Sequence, residues 1–135
     1  MEWVTSLEHQ IVSCDTAPII YYIETNPAYI KRVDPFFNAL DQGKFQLVTS
    51  TITLLEVLIH TLRQGNTALA QQYEQLLHNT RNVQIVAVSS IIAQTAARIR
   101  ATYNLRTPDA IQIATAIEQG STFLVTNDPN FQACA

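Results

Sequence analysis

Four short, mostly apolar runs, at 10–14 (QIVSC), 45–49 (FQLVT), 83–88 (VQIVAV) and 122–126 (TFLVT), set the terms on which this chain can fold. Each is too short for an amphipathic helix, and the run at 83–88 is rich in β-branched residues, so all four read as strands. A strand that is apolar on both sides belongs in a parallel sheet covered on both faces. The stretches between the runs carry helical spacing, as parallel strands require of their crossover connections. The expectation is a single domain, residues 1–135, of the α/β class, with a three-layer α/β/α fold around a central parallel sheet of four to five strands. With 135 residues and 47% hydrophobic content, the chain is long enough to bury a real core.

The helical segments have their own start and stop signals. Asp15 ends the first strand, Pro18 stands where a helix can begin, and the apolar pattern continues over 19–23 until Asn26-Pro27 breaks it. Val33, Phe36, Phe37 and Leu40 fall at helical spacing within 30–40, and Gly43 is placed to stop that helix. Ser50 and Thr51 can cap a helix over 52–63 that is apolar around most of its circumference, interrupted by Glu56, His60 and Arg63. Thr67 is placed to cap an amphipathic helix running to about His78. Ser89 or Ser90 opens another through Tyr103, with Ile92, Ala96, Ile99 and Tyr103 as its inner stripe. Thr107-Pro108-Asp109 reads as cap, first-turn proline and first-turn acid of a last helix ending at Gly120.

A net charge of −3 gives no global basic field, so any nucleic acid has to be held locally. Cys14 and Cys134 fit neither a metal-binding spacing nor a disulfide framework and are expected as reduced thiols. Residues 1–10 lack the basic start and apolar stretch of a secretory signal, and apolar runs such as 17–23 are too short to span a bilayer. A soluble, cytoplasmic protein with no membrane partner is expected.

Acids are scarce, yet Asp15, Glu56, Asp109 and Asp128 each stand where a strand ends or in the helix that follows. Asp15 and Asp109 suit helix caps and first turns, and Asp128 beside Pro129 suits a turn, so each has an ordinary structural role as well. Glu56 is expected to lie buried among Leu54, Leu55, Val57, Leu58 and Ile59, with His60 or Arg63 as its partner. Taken together, the four open onto the crevice beyond the carboxyl ends of a parallel sheet. Converging carboxylates repel one another unless protons or divalent cations neutralise them. An oxygen-only donor set selects Mg2+ or Mn2+ over zinc, and such ions support phosphodiester hydrolysis.

Four segments in order carry a resemblance: Asp15-Thr16-Ala17; residues 50–56 (STITLLE); residues 105–114 (LRTPDAIQIA); and residues 126–131 (TNDPNF). They resemble a PIN domain, over nearly the whole chain and in the family's motif order. In size the chain is similar to the ribonuclease toxins of bacterial VapBC toxin-antitoxin pairs or a close stand-alone relative. The resemblance implies a metal-dependent endoribonuclease in which Asp15, Glu56, Asp109 and Asp128 are catalytic and bind Mg2+ or Mn2+. It also implies that Thr126 or Asn127 supports the last acid. Several relatives carry a further acid where this chain has Asn130, which can ligate only as a neutral group, so the number of ions stays open. Thr16 and Arg106, which flank the first and third acids, are further candidates for support, and Arg106, Arg63 and Arg100 for contact with phosphate. His60, four residues after Glu56, is a candidate for the rim.

The implied partners are an RNA substrate, a VapB-like antitoxin and a second copy in a homodimer. Tyr21, Tyr22 and Tyr29 can stack bases or pack in the core, and with Phe36 and Phe37 the same region can form a groove for an antitoxin helix or a dimer contact. The competing expectation is a PIN-like RNA- or protein-binding module with little turnover. A phosphatase of the haloacid dehalogenase type is discounted, because Ala17 stands where that family needs its second acid.

Overall fold

The computed structural model describes residues 2–126. A short helix α1 (Glu2–Thr5) leads into β1 (Ile11–Cys14), which is followed by α2 (Thr16–Ile23), α3 (Ile30–Asp41) and β2 (Gln46–Ser50). Next come α4 (Thr51–Arg63), α5 (Thr67–Asn79) and β3 (Val83–Val86), then α6 (Ser90–Thr102), α7 (Thr107–Glu118) and β4 (Phe123–Val125). The four strands are all parallel, in the order β3-β2-β1-β4. From β1 the chain steps outward through β2 to β3, then returns to lay β4 on the other side of β1. The sheet therefore reverses its direction of growth at β1, and a crevice opens beyond the carboxyl ends of β1 and β4.

Alternation along the strands divides the core in two. Val12 and Cys14 of β1, Leu47 of β2, Val83 and Ile85 of β3 and Val125 of β4 join the larger cluster, with Ile19, Phe36, Phe37 and Tyr73 from the helices. Val86 points the other way, into a smaller cluster with Ile92 and Ala96 of α6 and Ala110 and Ala114 of α7. The small alanine side chains let α7 lie close to the sheet, where it packs on β1, β2 and β4 with α6 beside it. Helices thus cover both faces, as the strand composition requires.

At one corner Phe36 packs at ring-centroid distances of 5.8 Å from Trp3, 5.1 Å from Phe37 and 4.9 Å from Phe45. Tyr22 stacks on Phe37 at 4.2 Å. Phe36 and Phe37 are fully buried, so they are core and do not line the docking groove considered from the sequence. The short helix α1 carries Trp3 into this corner, which the apolar pattern of the sequence did not reveal. Pro35 lies inside α3, where its missing N–H forfeits one helical hydrogen bond. The buried face of Val33, Phe36, Phe37 and Leu40 holds the helix in place despite that loss.

Several boundaries differ from the expectation for identifiable reasons. The strand expected over 83–88 stops at Val86, because β2 turns into α4 after Ser50 and leaves nothing for residues 87–88 to pair with. The α5 cap is Asn66, whose side chain accepts from the Leu69 N–H at 3.1 Å, and not Thr67. Arg106, not Thr107, is the N-cap of α7, so Pro108 falls within its first two positions. Helix α6 ends at Thr102, and Tyr103 is extended (φ −118°, ψ 146°), so its ring leaves the inner stripe and is 62% exposed. Gly43 follows α3 with φ +74°, the left-handed conformation expected of a helix stop. Among the described residues no helix is long and apolar enough to cross a membrane.

Candidate active site

Asp15 directly follows β1 and is the N-cap of α2. Its Oδ1 accepts from the Thr16 N–H at 2.7 Å and its Oδ2 from Thr126 Oγ1 at 2.9 Å. Its own N–H donates to the Val125 carbonyl at 3.0 Å, continuing the β1–β4 pairing into the loops. The carboxylate is therefore fixed by two elements. The resemblance implied that Thr126 or Asn127 supports Asp128, which lies outside the described residues; the contact described for Thr126 is the one that holds Asp15. Beneath, the Cys14 Sγ donates to the Asp15 carbonyl at 3.2 Å, and burial, together with the Asp15 charge, pushes its thiol well above the ordinary range.

Glu56 lies in α4, a helix capped by Ser50, whose side chain accepts from the Ile52 N–H at 3.1 Å. The expected apolar enclosure is absent. Glu56 is half-buried, and its neighbours Leu55, Ile59 and Leu62 are exposed at 52%, 41% and 61%. Its partner is neither His60 nor Arg63, both exposed, but the Thr16 hydroxyl, which donates to Oε1 at 2.7 Å. Thr16 thus joins the first acid to the second: its backbone holds Asp15 and its side chain holds Glu56.

Asp109 is buried in the first turn of α7, where the helix dipole favours a negative charge. Arg106 reaches it with Nε 3.1 Å from Oδ2 and Nη2 3.4 Å from Oδ1. The arginine side chain is 77% exposed, so the pair opens to solvent on the crevice side.

Asp15, Glu56 and Asp109 line one cavity of about 330 Å³, together with Thr16, Tyr21 and Arg106. Asp128, Asn127 and Asn130 lie outside the described residues. Among the described residues no three His, Cys, Asp or Glu side chains stand close enough together to hold a metal ion. The three acids share a crevice without forming a finished coordination shell. Their chemistry nevertheless fits a hard divalent cation: the donors are all carboxylate oxygens, and among the described residues three carboxyl groups and one guanidinium line the cavity. Arg106 lines this cavity; Arg63, Arg100 and His60 do not. Of the tyrosines, Tyr21 lines it and stacks on Tyr29 at 4.3 Å, while the half-buried Tyr22 packs against the core through Phe37.

Behind the acids lies a buried polar network that the sequence did not disclose. Thr16 at the start of α2, Thr49 near the end of β2, Thr53 in α4 and Gln112 in α7 are all buried, the last at 2% exposure. The Thr49 hydroxyl lies 3.0 Å from the Cys14 carbonyl and 2.9 Å from Thr53 Oγ1. Gln112 Nε2 lies 2.8 Å from Thr53 Oγ1 and 3.5 Å from Thr16 Oγ1. Thr53 and Gln112 stand within the motifs quoted above, but their polarity inside apolar segments was the only signal they offered.

A PIN domain family model matches residues 12–135. No curated protein is significantly similar in sequence. Among solved structures, the chain is similar to the Mycobacterium tuberculosis toxin VapC20, described as cleaving the sarcin-ricin loop, with a TM-score of 0.73 at 15% identity over 88% of this chain and 91% of that one. It is also similar to Rickettsia felis VapBC2 bound to a promoter DNA fragment, with a TM-score of 0.69 at 19% identity, covering 87% of this chain and 88% of the other. A Klebsiella pneumoniae toxin-antitoxin complex gives a TM-score of 0.65 at 24% identity over 88% of each chain.

Proposed function

Because this chain belongs to the PIN domain family, we propose that it is a metal-dependent endoribonuclease, the toxin of a toxin-antitoxin pair, acting through Asp15, Glu56, Asp109 and Asp128. The observation that carries this reading is that Asp15, Glu56 and Asp109, from three separate segments of the chain, line one crevice where the sheet reverses direction. Toxins of the same fold, one of them described as cleaving the sarcin-ricin loop, support the choice of substrate.

Bound Mg2+ or Mn2+ supplies an activated water and stabilises negative charge on the phosphodiester. The protein's part is to hold the acids ready. Thr126 and the Thr16 N–H keep the Asp15 carboxylate in one orientation, the Thr16 hydroxyl does the same for Glu56, and Arg106 holds the Asp109 carboxylate. Arg106 presents a planar, mostly exposed guanidinium at the crevice, suited to paired hydrogen bonds with a substrate phosphate. The acid-rich crevice repels RNA until a cation is bound, so metal and RNA binding are coupled.

The apolar stripe Leu55, Ile59 and Leu62, spaced along one face of α4, offers a partner protein a surface beside Glu56. A VapB-like antitoxin seated there would cover the crevice. Purified protein should cleave RNA with Mg2+ or Mn2+ and stop on chelation, and Asp15→Asn and Asp109→Asn should each lose cleavage by at least a hundredfold while remaining folded. Wild-type rates from both variants would overturn the assignment, and absence of cleavage with strong RNA binding would make the chain a binding module.

A further inference from the structure

The polar network behind the acids contains a fixed direction, and its source is Gln112. Two groups in it only accept: the Cys14 carbonyl, which faces the Thr49 hydroxyl at 3.0 Å, and the Glu56 carboxylate, which faces the Thr16 hydroxyl at 2.7 Å. Thr49 and Thr16 each have one hydroxyl proton, and these acceptors take both. Neither threonine then has a proton left for Thr53, although Thr53 Oγ1 lies 2.9 Å from Thr49 Oγ1 and 3.2 Å from Thr16 Oγ1. Thr53 must donate its single proton, and the shorter contact to Thr49 is the natural recipient.

The Thr53 oxygen now needs a donor from elsewhere, and the Gln112 amide nitrogen, 2.8 Å away, provides it. Its second N–H points towards Thr16 Oγ1 at 3.5 Å. Gln112 Nε2 is the one group here that only donates, and it sits 2% exposed at the node where α2, α4 and α7 meet. If it could not donate, the Thr53 oxygen would lack a donor unless Thr49 or Thr16 turned its proton towards it, and a proton turned from Thr16 would abandon Glu56.

We propose that Gln112 is a positioning residue: through Thr53 and Thr16 it fixes the direction of the hydroxyl chain so that Thr16 always offers its proton to Glu56, holding one carboxylate oxygen and leaving the other for the crevice. The residue lies three positions after Asp109, on the same helix. One side chain therefore ties Glu56 of α4 to the helix that carries Asp109 and to the Thr16 turn that holds Asp15. This rests on the reading of Glu56 as a metal-holding acid.

The test compares Gln112→Met, which keeps length without a donor, Thr53→Val, which keeps shape without a hydroxyl, and Thr53→Ser, which keeps the hydroxyl. Mn2+ affinity is read by calorimetry, RNA cleavage as separate kcat and KM, and folding by thermal melting. Gln112→Met and Thr53→Val should each weaken Mn2+ binding and lower kcat by roughly 10- to 100-fold, the range for partners that orient metal ligands. At saturating Mn2+, KM for RNA should stay within about twofold, since neither side chain reaches the surface, and Thr53→Ser should recover most of the loss. The double variant should be no worse than the poorer single one, because both cut one chain. Folded variants with unchanged Mn2+ affinity would overturn the proposal.

Should the apolar variants fail to fold, the wild-type protein still decides. The Gln112 side-chain amide protons should be protected from solvent exchange and shift when Mg2+ is added; rapid exchange and unshifted signals would refute the role. The two readings fail separately. Metal binding that depends on Gln112 without RNA cleavage would sink the nuclease reading alone, and cleavage indifferent to Gln112→Met would sink the network alone.

Discussion

Replacing Arg106 with Gln should tighten divalent-cation binding, although it removes a charge from the site. The guanidinium contacts both oxygens of Asp109, at 3.1 and 3.4 Å, so an ion drawing on those oxygens must share them with Arg106 or displace it. At about 4 Å between charge centres and an effective dielectric near 20, the attraction in the pair is about 4 kcal/mol. The arginine side chain is 77% exposed, however, and exposed pairs retain only about 0.5–1 kcal/mol after solvation, side-chain entropy and salt. Giving up that amount corresponds to about two- to fivefold in affinity. The repulsion between guanidinium and cation acts in the same direction. Calorimetric Mn2+ titrations of wild type and Arg106→Gln should therefore show tighter binding in the variant, with a gap that narrows as ionic strength rises. KM for RNA should rise, since the phosphate loses its paired donor. Unchanged or weaker Mn2+ binding by a folded variant would refute the idea that Arg106 stands in for a cation at Asp109.

Tyr73 of α5 is fully buried and donates its hydroxyl to Glu24 at the end of α2, with its pKa raised above the ordinary 10.0 by burial, the hydrogen bond and the Glu24 charge. Its folded pKa being raised, its contribution to stability is complete below pH 10 and is lost as pH rises beyond, at up to about 1.4 kcal/mol per pH unit; denaturant titrations between pH 9 and 11 should show a steeper alkaline decline for wild type than for Tyr73→Phe, and equal slopes would contradict this. In a Cys134→Ser background, Cys14 should resist alkylation at neutral pH until the protein unfolds, because burial both shields the thiol and disfavours the thiolate; rapid modification of the folded protein, mapped by mass spectrometry, would contradict its placement.

The parallel sheet was legible because its signal is local. Runs such as IVSC and FLV set apolar residues at successive positions, as a strand covered on both faces calls for. Asp15, Ser50 and Ser89 announced their helices for the same reason, since a cap acts within three residues. Where two cap-forming residues adjoin, as at Asn66 and Thr67, local chemistry could not choose between them. The surroundings of Glu56 were misread because an apolar helix was taken to be a buried one; Leu55, Ile59 and Leu62 face solvent. The Gln112–Thr53 and Thr16–Glu56 contacts join residues 59 and 40 positions apart, and such pairings leave no periodic trace in a sequence. The motif order led to Asp15, Glu56 and Asp109, and the fold supplied what holds them.

The most direct measurement of the central claim is an anomalous-difference map from crystals grown with Mn2+. A peak should lie in the crevice within coordinating distance, roughly 2.0–2.3 Å, of carboxylate oxygens from at least two of Asp15, Glu56 and Asp109. A map with no peak there at millimolar Mn2+, or with its peak at a site remote from these acids, would contradict the account.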